Sequence, residues 1–243
     1  HYPLRRQRQM CIRDSLKAVG DSVNMPVAYY SNNLGGMLNI LKYCEVHEVK
    51  HFIFSSSCSV YGDLKADLLP VKEETLKSET NCPYAETKSM GERILKDVSV
   101  SAKVKALALR YFNPVGSHES NVAGENPKTK PNNLVPIICK SALGSIPPMS
   151  VFGDDYDTRD GSCIRDYIHV VDIAKAHVKA LDYLIDDQKD SYDVINLGSG
   201  NGVSVFEAIS AFEKVSKKKL VYNVAPDSYT HLRAHETRGN LVC

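Results

Sequence analysis

Three short apolar runs constrain this chain more than any other feature. Val49–Phe54 (VKHFIF), Val104–Leu109 (VKALAL) and Tyr192–Leu197 (YDVINL) are each six residues long. Mainly apolar runs of that length, bounded by polar stretches, read as buried strands rather than helices. Between them the spacing changes to that of a helix. Tyr29–His47 carries Leu34, Met37, Leu38 and Leu41 at helical intervals, and Tyr84–Val98, Asn133–Leu143, Val170–Leu184 and Ser204–Val215 predict further helices. Gly144 is the expected stop of the Asn133 helix, and Ser204 with Glu207 three residues on forms a capping-box pattern. Strands alternating with helices predict an α/β fold with a mainly parallel sheet. Residues 113–166 are richer in Gly, Pro, Asn and Asp, and are expected to be loop-rich, substrate-binding insertions.

Gly198-x-Gly200-x-Gly202 follows one predicted strand and precedes one predicted helix. Its spacing is not G-x-G-x-x-G, and no acidic residue closes a following strand. It is read as a tight turn that uses positive φ, not as a phosphate cradle.

With 243 residues, the chain suits one large domain or two small ones. A net charge of +1 gives no attraction for nucleic acid or an anionic membrane. The Lys217–Lys219 run ends a predicted helix, where cations suit the helix dipole. Seven cysteines without a Cys-x-x-Cys fit a reduced, cytosolic protein. No apolar stretch approaches the roughly 18 residues of a membrane span. Both ends look foreign. HYPLRRQRQMCIRDS (residues 1–15, with Arg5, Arg6, Arg8 and Arg13) and SYTHLRAHET near the C-terminus resemble translated adapter sequence, so 1–15 and 227–243 are expected to be non-native. His231 and His235 have a zinc-like i, i+4 spacing, but that tail carries little weight and no metal site is expected.

The chemistry concentrates at Tyr84 and Lys88, four residues apart on a predicted helix, with Ser57 lying 27 residues before the tyrosine. Positions i and i+4 share a helix face, so the ammonium can be aimed near the phenol. A nearby positive charge favours the phenolate, and general-base work needs a pKa near the operating pH. Ser57 can pass or stabilise the same proton. Tyr-x-x-x-Lys alone is a weak motif, and a helix with a half-buried Tyr and a solvated Lys is the plainer alternative. Context favours the functional reading. Ser55–Ser57 close an apolar strand, and open α/β sheets place ligands at the carboxyl ends of strands.

Six ordered blocks carry a resemblance over about Leu16–Pro226. They are Leu16–Ser22 (LKAVGDS), Ser55–Gly62 (SSSCSVYG), Pro83–Lys88 (PYAETK), Arg110–Gly116 (RYFNPVG), Pro131–Leu134 (PNNL) and Arg165–Val170 (RDYIHV). Together they resemble the UDP-glucose 4-epimerase family of extended short-chain dehydrogenase/reductases. The resemblance implies a Rossmann-like, doubly wound parallel sheet with a smaller substrate-binding α/β region. The NAD-binding part would fall in 16–112 and the substrate part mainly in 113–226, with 167–197 returning to the first. It implies NAD as cofactor, a UDP-sugar as substrate, hydride removal and return at C4, and a homodimer paired through the Tyr29 and Tyr84 helices. Tyr84 would be the base, Ser57 would hydrogen-bond the C4 oxygen, and Lys88 would support the phenolate and hold the nicotinamide ribose. Lys17 and Asn32 would belong to the NAD site, with Tyr111 and Phe112 at its nicotinamide end. Asn113, Asn133 and Leu134 would line the sugar-diphosphate path, with Cys58, Ser59 and Asn132 beside it. Val151 and Phe152 would pack near the uracil, and Arg165 would pair with the diphosphate, as a guanidinium fork can.

Local sequence leaves plainer readings open. Asn132-Asn133 could be an N-cap, Arg165-Asp166 a surface ion pair, and Cys58 a packing residue. The family's strand followed by G-x-x-G-x-x-G does not occur in these residues. The chain is therefore expected to be an internal fragment lacking the first strands, inactive by itself within an active longer parent. The rival readings are a related nucleotide-sugar dehydratase or decarboxylase and a non-catalytic NAD-binding module. The first is disfavoured because Cys58-Ser59-Val60-Tyr61 holds no acid, and the second because Ser57, Tyr84 and Lys88 are all present.

Overall fold

The computed structural model describes residues 16–64, 68–101, 104–120, 122–126, 131–186 and 188–226. His231, His235 and the two foreign-looking ends lie outside them.

The three apolar runs become one parallel sheet. β1 (His51–Ser57), β2 (Lys105–Tyr111) and β6 (Tyr192–Leu197) pair in the order β1-β2-β6, all parallel. The expected α/β architecture with a parallel sheet is present. β1 starts two residues later than VKHFIF suggested, because Val49 turns its N–H back to the Cys44 carbonyl. It then runs through all three serines, which pair in register with Leu109, Arg110 and Tyr111.

Helices cover both faces, as a doubly wound sheet requires. α2 (Pro26–Val46) and α3 (Pro83–Ser101) pack on one face, where Met37, Leu41 and Leu95 meet Phe52, Phe54 and Ala106. α5 (Val170–Ile185) covers the other, packing Ala180 and Leu184 on Ile53, Leu107, Leu109 and Ile195. Side chains alternate across a strand, so Phe52, Phe54 and Ser56 face α3 while Ile53 and Ser55 face α5. Gly91 lets α3 approach closely. A Cβ there would sit 2.6 Å from the Phe54 ring and 3.2 Å from Met37 Sδ. α1 (Val19–Asn24), a short helix ahead of α2, was not anticipated.

The stretch expected to be loop-rich holds more order than its composition suggested. It contains β3 (Asn113–Val115), α4 (Leu134–Ala142), β4 (Met149–Phe152) and β5 (Ile164–His169). β5 pairs parallel with β3 and antiparallel with β7 (Gly202–Ser204). β4 pairs parallel with β8 (Tyr222–Ala225), and α4 and α6 (Val205–Ser216) close a second core of Ile138, Met149, Val151, Ile209 and Leu220. Ser204 caps α6 with the full capping box. Gly200 takes φ +76° in the turn ahead of β7, the positive φ expected of that glycine cluster.

Candidate active site

β1 and α3 bring the predicted trio to one end of the sheet. Pro83 opens α3 and Tyr84 follows it. One turn on, Lys88 is only 6% exposed, with Nζ 5.7 Å from the centre of the Tyr84 ring and 5.3 Å from that of Phe54. Its ammonium donates to the Ser55 carbonyl at 2.9 Å. Burial pushes the Lys88 pKa down to about 8. The solvated-lysine alternative therefore does not describe this side chain.

Ser57 ends β1 and caps the 3₁₀ turn Cys58–Tyr61. Its Oγ accepts from the Ser59 N–H at 3.2 Å and from Ser59 Oγ at 2.9 Å. A hydroxyl offers two lone pairs and one proton. With the Ser59 N–H on one lone pair, the Ser57 hydroxyl can still turn its proton to a partner oxygen that carries developing negative charge. Cys58 is buried with Val60, Tyr61, Val71 and Phe112, so its side chain does the packing that its small size suggested.

On the α5 face, the Tyr111 hydroxyl lies 2.9 Å from Ser55 Oγ and 2.8 Å from His177 Nε2. His177 Nδ1 lies 2.8 Å from the Ile173 carbonyl, which can only accept. Nδ1 therefore carries a proton, and Nε2 faces the Tyr111 hydroxyl. Burial pushes the Tyr111 phenol up. Phe112, the next residue, turns into the core instead.

The N-terminal block reaches the trio through Asn33. Its side chain pairs with the Leu16 backbone in both directions, at 2.9 and 3.1 Å, and donates to Thr87 Oγ1 at 3.1 Å. Thr87 in turn donates to the Tyr84 carbonyl at 2.7 Å. Tyr29 pins the Ala18 carbonyl at 2.6 Å. Lys17 is exposed between these two anchors, and Asn32 donates to Asn33 at 3.1 Å.

The substrate-side candidates are spread along β3, β5 and the second core. Asn113 donates to the Asp166 carbonyl at 2.9 Å. Asn133 is the N-cap residue of α4, as the plainer reading had it, but its side chain makes no capping bond there; its amide goes to Glu125 instead. Asn132 is exposed, and Leu134 packs at the edge of the second core. Val151 is buried in that core, whereas Phe152 alternates to the exposed side of β4. Arg165 Nη1 donates to the Ile164 carbonyl at 2.9 Å.

The surface-pair reading of Arg165-Asp166 fails because Asp166 is 1% exposed. Its carboxylate accepts from the Ser199 N–H at 2.9 Å, Ser199 Oγ at 2.5 Å and the Gly200 N–H at 3.1 Å. Asp166 thus anchors the glycine turn to β5, a role missed in the sequence. Strand alternation, with Ile164 and Ile168 inward, placed it there. An open cleft of about 590 Å³ lies at the start of α3, lined by Tyr30, Thr80, Asn81, Pro83 and Glu86 among others and by none of the predicted site residues. Among the described residues no group of His, Cys, Asp and Glu could hold a metal ion.

Residues 13–198 match the NAD dependent epimerase/dehydratase family. The UDP-glucose 4-epimerase of Pasteurella multocida is 46% identical over 210 residues, covering 86% of this chain and 61% of that enzyme. The enzyme of Drosophila melanogaster is 46% identical over 211 residues, covering 86% and 60%. Among solved structures, UDP-glucose 4-epimerase from Bifidobacterium longum, in complex with NAD+ and UDP, superposes with a TM-score of 0.81. It is 46% identical, with 94% of this chain and 64% of that one covered. The Stenotrophomonas maltophila enzyme, with bound NAD and formylated UDP-arabinopyranose, gives 0.84 at 40% identity, covering 89% and 63%. The chain spans about 60% of the length of these relatives.

Proposed function

The chain belongs to the NAD dependent epimerase/dehydratase family, and from that premise we propose that the protein carrying it epimerises a UDP-hexose at C4, interconverting UDP-glucose and UDP-galactose in galactose metabolism. One observation carries the reading: a buried ammonium, Lys88, held by the Ser55 carbonyl near the Tyr84 ring, at the strand end that also carries Ser57.

In this reading Tyr84 takes the proton of the C4 hydroxyl and later returns it. Ser57 donates to the same oxygen as its charge develops. The Lys88 charge favours the phenolate form of Tyr84, and the Ser55 carbonyl aims that charge. Arg165 pairs with the diphosphate, and Asn113, Asn132, Asn133 and Leu134 line its path beside Cys58 and Ser59. Phe152 offers an exposed ring for the uracil, next to Val151.

The donors present fit NAD. Lys88 can also donate to a ribose hydroxyl, Lys17 and Asn32 stand beside Asn33, which is bonded to Thr87 on the Tyr84 helix, and Tyr111 closes the adjacent strand with Phe112 packed in the core behind it. NAD, when bound, supplies the hydride acceptor that takes and returns the C4 hydrogen. We also propose a cytosolic homodimer. The five described cysteines are free thiols, and no helix among the described residues is long and apolar enough to cross a membrane. α2 exposes Val27, Leu38, Tyr43 and Val46, apolar side chains that a second copy could cover.

The pH profile tests the role of Lys88. Its folded pKa of about 8 lies below the ordinary lysine value. Its charge is therefore lost as pH rises through about 8, and kcat should fall on that alkaline limb. Lys88→Arg, which stays charged, should move the limb upward. A rate that holds flat well above pH 8 in the unsubstituted protein would remove Lys88 from this role.

A further inference from the structure

We propose that Glu92 is a positioning residue for the Tyr84–Lys88 pair, acting through Ser56 and Arg110. The proposal rests on the assignment of Tyr84 as the proton-transferring group. Glu92 lies on α3 one turn beyond Lys88, so the two side chains share a helix face. It is 3% exposed. One carboxylate oxygen accepts from Ser56 Oγ at 2.6 Å and from Arg110 Nε at 2.9 Å. The other accepts from Arg110 Nη2 at 2.8 Å and from Lys77 Nζ at 2.7 Å. An ionised carboxylate has about four acceptor sites, and four donors fill them. Burial works against the charge, but the hydrogen bonds and charge of Arg110, with those of Lys77 and Ser56, hold the Glu92 carboxyl below its usual range.

One side chain therefore ties α3 to β1, to β2 and to the segment before α3. Its partners flank the reacting groups. Ser56 stands between Ser55, whose carbonyl holds Lys88, and Ser57. Arg110 precedes Tyr111 and is held from behind by the Tyr61 hydroxyl at 2.8 Å, which itself donates to Asn196 on β6 at 2.7 Å. Any slide or roll of α3 that shifts Tyr84 against Ser57 must break several directional bonds at once.

Apolar packing alone does not set register so sharply. Leu95, Met37 and Phe54 already glue these layers, and a buried ion pair is often no more stabilising than apolar residues of the same shape. A bidentate guanidinium–carboxylate fork adds direction that apolar contact lacks. The ionic cluster is thus best explained by the geometry that it imposes on the helix carrying the base.

A double-mutant cycle between Ser56→Ala and Tyr84→Phe, read as kcat for UDP-galactose turnover by the protein carrying this chain, tests the proposal. Ser56→Ala removes one of the four bonds and keeps the fork. It should lower kcat roughly tenfold or more, since small misplacements of reacting groups are costly, while KM for the UDP-sugar stays within about twofold. In the Tyr84→Phe background the same change should not lower the residual rate further, because the group being positioned is gone. Equal losses in both backgrounds, or no loss in either, would overturn the positioning role and leave the assignment of the base intact. No effect of Tyr84→Phe alone would overturn that assignment itself. Should the Ser56 variant melt early, the cycle is read at a temperature below its unfolding transition, where thermal melts show all four proteins folded.

Discussion

Tyr84→Phe should lower kcat by about a hundredfold to ten-thousandfold, the range that a positioned general acid–base group contributes, while UDP-sugar binding is nearly unchanged. The phenol ring sits 5.7 Å from Lys88 Nζ on a helix turn whose backbone is fixed by Thr87, so losing one oxygen leaves the ring, the helix and the lysine in place. Ser57 still donates, and the residues proposed for the diphosphate lie on other elements. Calorimetric titration with UDP beside steady-state turnover separates the two quantities. A parallel loss of binding and rate would mean that Tyr84 holds the sugar rather than moves its proton.

Arg110→Met should destabilise the protein by about 3–5 kcal/mol, the cost of leaving one partner of a buried ion pair uncompensated. Arg110 supplies two of the four donors on Glu92 and stacks its guanidinium 4.8 Å from the centre of the Tyr61 ring. Lys77, partly exposed, cannot replace a bidentate fork. Removing both charges, as Arg110→Met with Glu92→Leu, should restore much of the lost stability, because no unpaired buried charge remains. It should not restore the rate if the cluster exists to hold α3 in register. Denaturant melts of the single and double variants measure the first effect, and turnover of the double variant measures the second. Recovery of both together would reduce the cluster to a matter of stability.

The fold was legible where periodicity was strong. VKHFIF, VKALAL and YDVINL announced the parallel sheet as short, mainly apolar runs, but only the second becomes a buried strand; β1 and β6 flank it and stay largely half-buried, contrary to the expectation that all three are buried. α6 announced its own start through Ser204 and Glu207. The short strands hid for the opposite reason. MSVF and YNVA are four residues each and become strands by pairing with one another across some seventy residues of chain, which no local pattern encodes. β7 hid inside a glycine cluster that was correctly read as a turn.

At the site, Tyr84, Lys88 and Ser57 were visible as residue types at a spacing, but the environment of Lys88 was not. Its burial depends on Gly91, whose missing side chain lets α3 settle on Phe54. Ser56, Glu92 and Arg110 could have been noticed as polar groups in the inward phase of a strand, a helix and a strand. Asp166 could have been found by the same test, between inward Ile164 and Ile168. A charged residue at a core position has to be paired, and that signal needs phase rather than composition.

The most direct measurement of the central claim uses UDP-galactose deuterated at C4. Hydride removal and return by Tyr84, Ser57 and Lys88 around NAD predicts UDP-glucose that keeps its deuterium at C4, since the same hydrogen comes back to the other face. UDP-glucose carrying solvent hydrogen at C4, or a product that has lost water, would contradict it.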